Sequence, residues 1–138
     1  MSAEGEFLRR EKKEILTTID LIEDLLGRVD LNRYEVVALG TLLHNVYKGV
    51  ESVFRCVIVC RGYRIEKTEA WHKALLTKAL NEGIVTQSEY HAFSDLLDFR
   101  HMHVHGYAHM LDEERLRALA DPVPQLVRRF LDKDWGVD

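Results

Sequence analysis

Apolar residues recur at intervals of three and four along nearly the whole chain, and no window alternates with period two. That spacing argues against a sheet and predicts one α-helix after another. The only prolines, Pro122 and Pro124, lie near the C-terminal end, so no pyrrolidine ring interrupts the helices before them. Leu8, Ile15, Ile19, Ile22 and Leu26 mark one face of a first helix over 4–27, with Glu11, Lys12 and Lys13 on its other side. A second helix over 33–61 carries a wide stripe from Leu39 through Leu43, Val46, Val50 and Phe54 to Ile58. Gly40 and Gly49 lie inside it and each costs about 1 kcal/mol relative to Ala. Close approach of a neighbouring helix would explain Gly49.

Thr68 is positioned to cap a third helix over 69–81. Thr86 and Glu89 form a capping box for a fourth, which runs past Phe93, Leu96 and Leu97 toward Gly106. Asp112 caps a fifth, with Glu113 and Glu114 in its first turn; Asp121-Pro122 breaks or re-caps it, and Leu126, Val127 and Phe130 continue its apolar face. Short connections favour antiparallel neighbours. The expected fold is all-α, an antiparallel up-and-down bundle of about five helices.

At 138 residues the chain is expected to form one domain over 1–138, too short for two independent cores. No apolar run reaches the ~18–20 residues that span a bilayer. The N-terminal MSAEGEFLRREKKE lacks the apolar stretch of a secretory signal. Both point to a cytoplasmic protein with no membrane partner. Cys56 and Cys60, spaced i, i+4 in an apolar run, read as core thiols of a reducing compartment rather than a zinc ribbon or a disulfide frame.

The net charge of −4 argues against a general nucleic-acid coat, but its distribution is uneven. Eight acidic residues fall within 1–30, whereas 55–80 holds six basic residues against two acidic ones. Such a stretch is either an ordinary solvated face or a guide for an RNA backbone.

The segment Phe99-Arg-His-Met-His-Val-His-Gly-Tyr-Ala-His109 contains four of the seven histidines, one arginine and no carboxylate. At 100° per residue, Arg100, His103 and Tyr107 share one helical stripe, and His101 and His105 share another. Arg100 and His105 stand about 140° apart on an ideal helix. They converge only if the helix distorts near Gly106 or a second copy approaches by two-fold symmetry. Arginine holds a phosphate bidentately, and histidine exchanges protons near neutral pH. Together they suit RNA cleavage by the neighbouring 2′-hydroxyl, with no metal or other cofactor required.

Arg100-x4-His105-x-Tyr107 resembles the R-x4-H-x-Y motif of HepT-like toxins in the HEPN superfamily. Leu43-His-Asn-Val-Tyr-Lys-Gly-Val-Glu51 is similar to the family's second helix, and Glu69-Ala-Trp-His72 to the segment that opens its third. Phe99-Arg100-His through Leu111-Asp-Glu-Glu-Arg115 resembles the motif and its following helix, so the likeness runs over about 7–131. The resemblance implies a metal-independent endoribonuclease that works as a homodimer or higher oligomer, the toxin of a type II toxin–antitoxin pair. Arg100 and His105 would be the catalytic pair. A minimal nucleotidyltransferase antitoxin would be the partner, able to transfer AMP to Tyr107. His101 and His103 occupy gap positions where the family often carries small polar or basic residues. They are candidates for RNA contact, as is Tyr107, and they keep the identity of the proton-transferring histidine open.

Two other readings remain at this level. One is a non-catalytic HEPN module that only binds a nucleotidyltransferase. The other is a metal-binding bundle using His101, His105 and His109 at i, i+4, i+8, which Gly106 and the lack of nearby carboxylates oppose. Trp71 and His72 read as packing residues.

Overall fold

The computed structural model describes residues 2–104 and 112–138. Among them are six helices and no strand: α1 (Ala3–Leu26), α2 (Arg33–Cys60), α3 (Trp71–Asn81), α4 (Gln87–Val104), α5 (Glu113–Ala120) and α6 (Val123–Leu131). The expected helical bundle is present. The fifth helix is divided in two, because Pro122 sits at the N-cap of α6 and Pro124 follows in its first turn.

α2 is the central element. Leu39, Leu43, Val46, Tyr47, Val50, Val53, Phe54 and Val57 have no exposed surface. α1 lies along α2 through Leu8, Ile15, Ile19, Ile22 and Leu25, while Leu26 is only partly buried. α3, α4 and α5 also contact α2, and α6 packs on α1. Phe54 of α2, Phe93 of α4 and Phe130 of α6 meet edge to face with ring centroids 5.3–5.8 Å apart, joining three helices in one aromatic cluster.

The helix starts follow side-chain chemistry. Ser2 caps α1, and its backbone N–H also donates to the Asp138 carbonyl at 3.0 Å, tying the two ends together. Asn32 and Glu35 form a capping box on α2. The Thr86–Glu89 box opens α4 as its sequence predicts: Thr86 N–H donates to Glu89 at 2.8 Å, and Glu89 N–H donates to the Thr86 hydroxyl at 3.1 Å. Asp112 accepts from Glu114 N–H at 2.9 Å and caps α5. Thr68 does not cap α3. That helix begins two residues later than expected, after Ala70, with no side-chain cap, and the Thr68 carbonyl takes the Trp71 N–H instead.

Gly49 has the close neighbour its position suggests. A Cβ built there would stand 2.6 Å from Ile15 Cγ1, so the missing side chain lets α1 and α2 approach. Among the described residues no helix is long and apolar enough to cross a membrane.

Candidate functional site

The last turns of α4 carry Phe99, Arg100, His101, Met102 and His103. Phe99 is buried and anchors the turn to the core, Arg100 and His103 are half-buried, and His101 and Met102 are exposed. Arg100 and His103, three residues apart, share the face that meets α2. There His103 stacks on His44, with ring centroids 5.2 Å apart and planes 29° from parallel. Phe99 backs His103 at 5.9 Å.

α2 presents a polar column to this seam. His44, Tyr47 and Glu51 follow at i, i+3 and i+7, one above another on a single helix face. Partial burial, and behind it the charges of His103, Arg100 and Lys48, hold the His44 imidazole below the ordinary histidine range. Burial, with help from the Glu51 carboxylate, pushes the Tyr47 phenol well above the ordinary tyrosine value, while Arg100 pulls it down. Tyr47 thus lies between an anion and a cation.

Glu51 is itself buried and held by His72 of α3, whose Nδ1 lies 2.9 and 2.8 Å from its two carboxylate oxygens. The neighbouring Trp71 ring lies 3.8 Å from the His72 ring. His72 therefore does more than fill space, since it satisfies a carboxylate buried one turn from Tyr47. The polar seam runs through His72, Glu51, Tyr47, Arg100, His44 and His103.

Of the residues singled out in the sequence, Arg100 and His103 are brought together and His101 lies beside them, on the exposed side. His105, Tyr107 and His109 lie outside the described residues. Sequence reasoning missed His44 and Tyr47 as members of the site. The available signal was their i, i+3 spacing with Glu51, which puts three polar side chains on the buried face of the most apolar helix.

The basic stretch is realised largely as cation–π contacts. Arg55 and Lys67 lie 5.9 and 5.5 Å from the Trp71 ring, Lys78 lies 3.6 Å from Tyr63, and Lys73 lies 4.9 Å from Tyr90. A groove of about 510 Å³, lined by Phe7, Cys56, Val59 and Ile65 among others, lies away from the seam. Among the described residues no group of three or more His, Cys, Asp or Glu side chains is placed to hold a metal ion.

Arg100 makes no ion pair among the described residues, and the nearby carboxylate, Glu51, is taken by His72. A half-buried guanidinium beside two imidazoles and a phenol, with no acid committed to it, is arranged to receive an anion.

The family model of the HepT-like proteins matches residues 38–133, which takes in all but the start of α2, continues through α6 and leaves α1 outside. No curated protein and no solved structure matches the chain. The matched segment makes up more than half of the sequence and contains the whole polar seam, and the chain belongs to the HepT-like family.

Proposed function

We propose that the protein is the toxin of a HEPN-type toxin–antitoxin pair and cleaves RNA without a metal. Membership of the HepT-like family supports the class. The observation that carries the chemistry is Arg100, half-buried on the α2-facing side of α4 and not neutralised by any carboxylate among the described residues. It would hold a phosphodiester and stabilise the charge that builds on it.

His105 would act as the acid–base group. It takes the proton of the 2′-hydroxyl, whose oxygen bonds to phosphorus as the bond to the 5′-oxygen breaks. The leaving oxygen takes up a proton. The products are a 2′,3′-cyclic phosphate and a 5′-hydroxyl end. A second copy of the chain would supply the approach that a single helix denies to Arg100 and His105. His101 and His103 would flank the RNA.

The neutralising partner would be a minimal nucleotidyltransferase. With ATP it would join the α-phosphorus to the Tyr107 oxygen, releasing pyrophosphate and the phenolic proton. AMP at that position would put anionic bulk where the RNA phosphate must sit.

Expression of the wild type and His105→Ala, each with and without the nucleotidyltransferase encoded beside it, tests this reading. Growth arrest by the wild type alone, relieved by either change, supports it. An added mass of AMP on Tyr107 in the neutralised pair supports the mode of regulation. No arrest by the wild type would favour the non-catalytic module.

A further inference from the structure

Three of the five buried side-chain atoms without a hydrogen-bond partner among the described residues gather at one place: His44 Nδ1, Tyr47 Oη and His103 Nδ1. Buried polar atoms are normally paired, so such a cluster needs an explanation. Its composition supplies one. Two imidazoles and a phenol are all able to donate, Arg100 stands among them, and exposed Lys48 follows His44 by one helical turn. The single carboxylate of the seam among the described residues, Glu51, is occupied by His72. Donors and positive charge converge here while acceptors are withheld.

We propose that His44 is a phosphate-contact residue, and that His44, Arg100 and His103 form one anion site at the α2–α4 seam, backed by the fully buried Tyr47 and taking a phosphodiester of RNA. The identity of the anion rests on the reading of Arg100 given above; the site itself rests on the unpaired donors. His44 supplies contacts from α2 that the motif on α4 does not contain. The charges acting on it are His103 and Arg100 of α4 and Lys48 of its own helix. On the α1 side, Glu11 and Glu14 line the groove shared with Asn45 and Lys48. On α3, His72 is held by Glu51; on α5, Glu113 is held by Arg117 at 3.0 Å. A docked phosphate would offset the positive neighbours of His44 and favour its protonated form, so anion binding and proton uptake are linked.

The test is an NMR titration of the histidine side chains of the full chain with a short 2′-O-methyl oligoribonucleotide, and separately with inorganic phosphate. The oligonucleotide presents phosphodiesters but has no free 2′-hydroxyl to attack them. Expected are shifts of the His44 and His103 signals with both ligands, a higher titration midpoint for His44 in the bound state, and at least tenfold tighter binding of the oligonucleotide. His44→Phe keeps a stacking ring and loses both nitrogens. It should weaken oligonucleotide binding about tenfold with an unchanged helical circular dichroism spectrum. His44 signals unmoved by saturating oligonucleotide, or wild-type affinity in a folded His44→Phe, would overturn the proposal. A response to inorganic phosphate alone would overturn its RNA assignment. If the Phe variant fails to fold, the wild-type titration still decides. Cleavage is not read in this experiment. Intact binding by a protein that cuts no RNA would therefore defeat the nuclease reading and leave the site standing.

Discussion

The His44 and His103 rings stack across the α2–α4 seam at 5.2 Å, and each keeps its Nδ1 buried and without a hydrogen-bond partner among the described residues. Because burial and the charges of His103, Arg100 and Lys48 hold His44 below the usual 6.5, the folded state binds its proton less readily than the unfolded chain does. Above the unfolded value both states are neutral at this position and it contributes nothing. As the pH falls through 6.5 the unfolded chain takes up the proton first, and stability declines until the folded pKa is passed. Urea unfolding at pH 7.5 and at pH 5.5 should show a smaller acid loss for His44→Phe than for the wild type. An equal loss would mean that His44 does not carry this part of the pH dependence.

Gly49 and Ile15 set the distance between the two longest helices. In Gly49→Ala the new methyl meets Ile15 Cγ1 at 2.6 Å, and this methylene, next to the branched Cβ of a buried side chain, has little room to yield. Overpacking costs about 1–3 kcal/mol, partly offset by about 1 kcal/mol of helix propensity. A net loss of about 1 kcal/mol is expected by chemical denaturation. Ile15→Ala should remove the clash, so the double variant should be less destabilised than the sum of the two single ones.

Glu89 joins two ends of the fold. It accepts from Thr86 N–H at the start of α4 and contacts Lys133 Nζ beyond α6, and Lys133 also reaches the Ile84 carbonyl at 3.4 Å. Glu89→Ala leaves a backbone N–H and a half-buried ammonium without this partner, and a loss of about 1–3 kcal/mol is expected. Thr86→Ala should cost about 1 kcal/mol as a lost cap. Strictly additive losses in the double variant would show that the capping box does not act as a unit.

Cys56 and Cys60 differ in reactivity. Burial, and then its neighbour Cys60, raise the Cys56 thiol to about 11, whereas Cys60 is exposed. Iodoacetamide at pH 7.5 should label Cys60 well before Cys56, read by peptide mass spectrometry. Equal rates would contradict the burial of Cys56. The sequence expectation that both thiols belong to the core holds only in part: Cys56 is partly buried against the core, whereas Cys60 stands on the exposed side of a last turn that Val57 and Ile58 bury.

Much of the bundle was legible from periodicity and caps. Thr86–Glu89 and Asp112 announced two helix starts because their side chains bond local backbone groups. Thr68 misled, since the same residue type can stand three residues before a helix and leave its side chain out of the cap. The site was legible only on α4, where Arg100 and the histidines are concentrated in sequence. His44 and Tyr47 are separated from Arg100 by more than fifty residues and sit within an apolar helix. Only the packing of α2 against α4 shows that they belong together. The Glu51–His72 contact escaped for the same reason.

The proposed pairing of Arg100 and His105 in RNA cleavage is open to direct assay. Purified full-length wild type, Arg100→Ala and His105→Ala should each be incubated with RNA in EDTA, with the new ends identified chemically. Expected is cleavage by the wild type giving 2′,3′-cyclic phosphate and 5′-hydroxyl ends, slowed about 10²–10⁴-fold in each variant with the helical spectrum unchanged. Wild-type rates in either folded variant, or cleavage by the wild type that EDTA abolishes, would contradict it.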